Sequence, residues 1–237
     1  MKKILILIFV VLIIFLIYTN TKDKKIFYLV LGDELSLGMT DENYYKKSYT
    51  EYINEYLQNQ NNLQLYIDNY ATNGYRITDI INDIKNNKEI KINNKPLTIN
   101  NALVKSDLLI ISIGTNDITS KINNIKNINK IDYENFKNNI IEITKDYELL
   151  LQEIKKYCKE KVIIVGINIE TENEKMNELL KTANNKFKEI TKKYNTTYID
   201  LYNLLDNKTS YKKYPTELEY KIISNTIIDI INNNLLN

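Results

Sequence analysis

Two carboxylates in succession, Asp33 and Glu34, follow the apolar run Phe27-Tyr28-Leu29-Val30-Leu31 and are set off from it by Gly32. An apolar run that breaks at Gly-Asp-Glu is the pattern of a buried strand that delivers side chains to the edge of a sheet. Two carboxylates can divide acid and base roles when their surroundings push their pKa values apart. The chain contains no histidine, so every mechanism that needs an imidazole as proton shuttle or metal ligand is excluded. Cys158 is the single cysteine; no intrachain disulfide can form, and a cysteine-based metal cluster would need ligands from elsewhere. Neither a metal nor another cofactor is expected.

The elements that position these carboxylates can be read from the rest of the chain. Met1-Lys2-Lys3 precedes an unbroken apolar run from Ile4 to Tyr18, followed by Thr19-Asn20-Thr21-Lys22. No small-residue cleavage pattern follows, so residues 1–25 are expected to be an uncleaved signal anchor, a hydrophobic transmembrane helix with the membrane as partner. Lysines flank it on both sides, which leaves its orientation open. Residues 26–237 are long enough for one core and are expected to form one domain. The composition is 43% hydrophobic and 26% charged with a formal net charge of +2, which suggests neither disorder nor a nucleic-acid partner.

Beyond residue 25, strand-length apolar runs alternate with helix-period segments, the order of parallel strands joined by helical crossovers. Strands are predicted over 26–31, 63–70, 107–113, 161–167 and 196–201, and helices over 44–57, 77–84, 133–158, 172–194 and 215–236. The fold class is α/β, a three-layer α/β/α sandwich with a five-stranded parallel sheet. In helix 44–57 the residues Tyr45, Tyr49, Tyr52, Ile53 and Tyr56 recur at helical spacing and read as a core-facing stripe. Pro215 suits a first helical turn. Residues 88–101, polar and containing Pro96, read as a loop, and 120–130 as a surface insertion.

Ligands of an open parallel sheet bind beyond the carboxyl ends of the strands. The stretches there are Gly32-Asp33-Glu34-Leu35-Ser36, Asn73-Gly74 and Gly114-Thr115-Asn116-Asp117, with Tyr211-Lys212-Lys213-Tyr214-Pro215 ahead of the last helix. In this order, over nearly the whole chain after residue 25, they resemble the blocks of the SGNH (GDSL) hydrolase superfamily. The resemblance implies a flavodoxin-like hydrolase fold and an ester- or acyl-hydrolysing ancestry. It places Glu34 where the family has its nucleophilic serine, and Tyr211 and Tyr214 where it has the aspartate and histidine of its Asp-x-x-His-Pro block. It also implies an oxyanion hole made by the Glu34 backbone N–H, Gly74 and Asn116, with Gly32, Asp33, Ser36, Asn73, Gly114 and Asp117 in support.

A serine hydroxyl is a weak nucleophile until an oriented base takes its proton, and none of the three roles is filled. Ser36 falls where a serine caps a helix or braces a turn, and Tyr214 is a poor base at neutral pH. Glu34 is expected to accept hydrogen bonds from the Asn116 amide or the Gly74 N–H. The leading expectation is a membrane-anchored, extracytoplasmic domain that has lost hydrolysis and binds or scaffolds an envelope glycan, lipid or protein. The alternative is an esterase or acylhydrolase in which Glu34 activates water against an acyl ester on a lipid or glycan. A third reading is a site that decayed without gaining a role.

Overall fold

The computed structural model describes residues 25–123, 132–167, 169, 171, 173–205 and 213–236. The strands are β1 Ile26–Gly32, β2 Leu63–Ala71, β3 Glu89–Ile92, β4 Lys95–Thr98, β5 Leu108–Ser112, β6 Lys161–Val165 and β7 Thr197–Ile199. The helices are α1 Tyr49–Asn59, α2 Ile77–Lys85, α3 Ile99–Lys105, α4 Thr115–Asn123, α5 Tyr133–Tyr157, α6 Glu174–Lys193, α7 Leu201–Leu204 and α8 Glu217–Ile231, with a π-helical turn after α8.

Five strands form one sheet in the order β2, β1, β5, β6, β7, every pairing parallel. Strand side chains alternate between the two faces, and here both faces are apolar, as in a sheet covered by helices on each side. Leu29, Leu31, Leu109, Ile111 and Ile164 join the residues of α2, α3, α5 and α6. Tyr28, Val30, Ile110, Ile163 and Val165 join those of α1 and α8. The result is the three-layer α/β/α sandwich with a five-stranded parallel sheet.

Helix starts are fixed locally. Ser48 and Glu51 form a capping box at α1 and Thr216 and Glu219 another at α8, each satisfying two backbone donors that a helix leaves open. From β1 the chain crosses to β2 on one side and from β2 returns to β5 on the other. The crossover direction therefore reverses between β1 and β5, and ligands of such a sheet bind beyond the carboxyl ends of the strands at that point.

Four expectations are corrected. Residues 89–98 are an antiparallel hairpin rather than a loop, β3 against β4, turning at Asn93 and Asn94 with positive φ of 50° and 62°. Tyr45 precedes α1 and is exposed, while Tyr49 and Ile53 enter the core. Pro215 stands one residue before the N-cap Thr216, outside the first helical turn. Among the described residues no helix is long and apolar enough to cross a membrane, and the segment on which the anchor was expected lies, but for Lys25, outside them. The membrane as partner and a membrane-anchored, extracytoplasmic location are withdrawn on that finding.

Candidate active site

Gly32 ends β1 against β5, where a Cβ would lie 2.4 Å from the Ser112 carbonyl oxygen and 2.5 Å from Ser36 Oγ. Only glycine lets the two strand ends close. The chain then turns tightly: Leu37 N–H and Met39 N–H both donate to the Glu34 carbonyl, at 3.2 and 3.1 Å. Asp33 braces the turn, its Oδ1 accepting from Leu35 N–H at 3.1 Å. Ser36 is buried, with Oγ 2.5 Å from Ser112 Oγ and 3.2 Å from the Tyr49 hydroxyl, and it belongs to the packing beneath the turn.

The Glu34 side chain lies among Gly74, Asn116 and the segment before α8 and is 3% exposed. Its Oε2 accepts from Gly74 N–H at 2.8 Å and from Asn116 Nδ2 at 2.9 Å. Its Oε1 accepts a short hydrogen bond from the Tyr214 hydroxyl and one at 3.3 Å from Lys213 Nζ. Hydrogen bonds to an ionised acceptor are the stronger kind, and here they offset the cost of enclosing a carboxylate.

Each partner is placed by a strand end or a helix start. Gly74 lies after β2 with φ +79°, a conformation glycine adopts without strain, and a Cβ there would meet none of the described residues within 4 Å. Asn116 begins α4, and its Nδ2 also donates to the Tyr75 carbonyl at 3.0 Å. Gly114, with φ +111°, turns the chain from β5 into that helix beside Ile77 and Ile167. Asp117 is buried and accepts from Ile77 N–H at 3.2 Å, tying α4 to the start of α2. Asp41 accepts from the backbone N–H groups of Lys213 and Tyr214 at 3.1 and 3.0 Å, which holds the segment before α8 against the turn.

Asn73 is exposed at the rim, and Tyr211 lies outside the described residues. Lys213 was not singled out by sequence reasoning. It sits in a lysine pair within a chain rich in lysine, so nothing in its immediate sequence marks it. The available signal was indirect: a carboxylate at a strand end in a chain without histidine calls for a cation close by.

The two adjacent carboxylates are driven in opposite directions. Burial, reinforced by the neighbouring Glu34 charge, pushes Asp33 well above the usual carboxylate range, and its buried Oδ2 has no hydrogen-bond partner among the described residues. Burial also works to raise Glu34, but the hydrogen bonds from Tyr214, Gly74, Asn116 and its own backbone N–H outweigh it and hold the group below the ordinary value. Burial and the Glu34 carboxylate push the Tyr214 phenol up, so Tyr214 is a neutral donor. Burial raises Asp117 to about 6 against the lowering effect of the Ile77 N–H. Among the described residues no group of three or more acidic or cysteine side chains is placed to hold a metal ion.

Residues 28–230 match the model of the GDSL-like lipase/acylhydrolase family. The chain belongs to this family. No curated protein matches it at significant similarity. Among solved structures, this GDSL-like domain is similar to an acetylxylan esterase from Geobacillus stearothermophilus, with 16% identity, a TM-score of 0.61, and coverage of 89% of this chain and 96% of that one. A variant described as an acetyl-xylooligosaccharide esterase from the same source has a TM-score of 0.62 at 16% identity, covering 92% and 99%. An alpha/beta hydrolase enzyme from the metagenome of Lake Arreo, Spain, has a TM-score of 0.61 at 12% identity, covering 86% and 94%. At these identities the shared property is the fold. The expectation of a membrane-anchored module that binds without hydrolysing is corrected by these findings, which favour the esterase alternative.

Proposed function

We propose that this GDSL-like domain is a carboxyl-ester hydrolase whose triad positions have been replaced by Glu34, Tyr211 and Tyr214, and in which Glu34 activates water in place of a serine nucleophile. One observation carries the reading: two of the three expected oxyanion donors, the Gly74 backbone N–H and the side-chain amide of Asn116, bond to the same oxygen of the Glu34 carboxylate. A site that holds a carboxylate oxygen on those donors has the charge and shape to hold a tetrahedral oxyanion.

The ester carbonyl takes over Gly74 N–H and Asn116 Nδ2 from Glu34 Oε2. The carboxylate stays anchored through Oε1 to Tyr214 and Lys213 and loses the bonds that held its proton affinity down, so it becomes a better base when substrate is bound. Water adds to the carbonyl carbon as Glu34 takes its proton, and the carbonyl electron pair moves onto the oxygen held by the hole. Collapse expels the alcohol oxygen, which receives the proton back from Glu34. The substrates this reading favours are short acyl esters, acetyl esters of glycans or acyl esters of lipids.

The test is hydrolysis of short-chain p-nitrophenyl esters by the full chain. Slow turnover that Glu34→Gln abolishes supports the reading. Turnover unaffected by Glu34→Gln, or covalent labelling of any hydroxyl by a fluorophosphonate, overturns it.

A further inference from the structure

Lys213 stands where both ends of the proposed charge movement can feel it. Its ammonium is 3.3 Å from Glu34 Oε1 and 3.1 Å from Asn116 Oδ1, and it lies 4.6 Å from the centre of the Tyr214 ring. The lysine side chain is 21% exposed against 4% for Glu34, so the pair is shielded from solvent more than a surface ion pair is. An ammonium has three donors and no acceptor. Because the Asn116 carbonyl oxygen must face it, the amide nitrogen must face the other way, toward Glu34 and the Tyr75 carbonyl. Reversing that amide would set its nitrogen against the lysine and leave the hole with an acceptor in place of a donor.

We propose that Lys213 is a positioning residue of this site, locking the Asn116 amide in the orientation that presents its nitrogen to the oxyanion and remaining beside the negative charge as it moves from Glu34 to the substrate oxygen. This rests on the ester-hydrolase reading. The transfer balances: water loses a proton to Glu34, which becomes neutral, and the carbonyl oxygen becomes the anion. The total charge of the site is unchanged throughout, with one lysine cation facing both locations. The other titratable or charged groups around the pair are Asp33 on the β1 turn, Asp41 in the following loop, Asp117 on α4, Tyr214 beside the lysine and Tyr220 on α8. Lys213 is the cation in direct contact with Glu34 among the described residues.

The experiment compares the full chain with Lys213→Met, Lys213→Gln and Lys213→Arg in two arms. In the first, NMR follows the Asn116 side-chain amide and the Glu34 carboxyl titration. In Lys213→Met and Lys213→Gln the Asn116 signals move and the Glu34 titration shifts upward, and Lys213→Arg returns both toward the parent. In the second, p-nitrophenyl acetate hydrolysis falls about 100-fold in kcat with KM within about 3-fold, a loss of the size expected when an oxyanion donor is misdirected. Absence of turnover in the parent refutes the hydrolase reading, and the NMR arm still decides whether Lys213 positions Asn116. If the charge-removing variants keep the parent circular dichroism while the Asn116 and Glu34 signals stay unchanged, the proposal is overturned. Using Lys213→Gln beside Lys213→Met guards against one variant misfolding.

Discussion

Asn116 and Glu34, 82 residues apart in sequence, face each other across the ends of β5 and β1, with the asparagine nitrogen 2.9 Å from a carboxylate oxygen. On the proposed reading, this contact makes the base and the oxyanion donor each other's resting partner. A substrate of the proposed kind would have to compete with the Glu34 side chain for the Gly74 and Asn116 donors.

The competition separates two pH profiles. Free Glu34 is held below the ordinary glutamate value, so it is the ionised base across pH 5–8, and the acid limb of kcat/KM falls below the usual carboxylate range. Bound substrate takes the Gly74 and Asn116 donors, so the acid limb of kcat lies at higher pH, since kcat/KM reports the free enzyme and kcat the complex. Coincident limbs would show that Glu34 keeps its donors through the reaction.

Glu34→Ser restores the residue type that the family motif carries, but no imidazole exists anywhere in the chain to take its proton. Its rate on p-nitrophenyl acetate is expected to be at least about 100-fold below the parent, the usual contribution of a positioned base. A pre-steady-state burst from this variant would reveal another base.

Ser36→Ala is expected to retain hydrolysis and lose about 1 kcal/mol of stability, the usual net worth of a hydrogen bond, as the partners Ser112 and Tyr49 lose a bond in the core. Chemical denaturation measures the stability. Loss of turnover from a fully folded Ser36→Ala would make Ser36 a participant.

Gly74→Ala adds a methyl group that meets none of the described residues, yet forces an alanine to φ +79°. The expected cost is about 1–2 kcal/mol of backbone strain, with esterase activity falling further than stability because the N–H at that position is re-aimed. A Michaelis–Menten series beside a melting curve separates the two effects.

Asp117 makes stability depend on pH. It titrates at about 6 in the fold against 3.8 ordinarily, so the unfolded chain gives up its proton first and stability declines as pH rises from about 4 to 6. Asp117→Asn keeps an acceptor for the Ile77 N–H and removes the Asp117 share of the decline, leaving that of the buried Asp33. The variant is expected to gain up to about 3 kcal/mol over the parent at pH 7 and nothing at pH 3, a two-unit shift being worth about that much. Urea titrations at the two pH values measure it.

The sheet was legible because its strands are buried on both faces and read as continuous Ile, Leu and Val runs, as in β5 and β6. The β3–β4 hairpin was not, because it is half exposed and contains Pro96, a residue confined to edge strands. Its signal was nonetheless present in the alternation of Ile90 and Ile92 with charged residues, followed by two asparagines able to adopt positive φ. The stretches that hold Glu34, Gly74 and Asn116 were legible from the strand ends that precede them, while the choice of Gly74 and Asn116 within those stretches came from the resemblance to the family's blocks. Lys213 was not, since its importance comes from the Asp41 carboxylate holding its backbone 172 positions away, and no local pattern encodes such a contact.

The bond from Tyr214 to Glu34 joins residues 180 positions apart, which has a consequence during synthesis. While the chain is still emerging from the ribosome, the β1 turn is finished long before the phenol that will meet it has been added. Until the segment just ahead of the final helix is added, one oxygen of the Glu34 carboxylate waits for both of its donors. A chain that ends before Lys213 leaves translation with the Gly74 and Asn116 donors on one carboxylate oxygen and neither the lysine nor the phenol on the other.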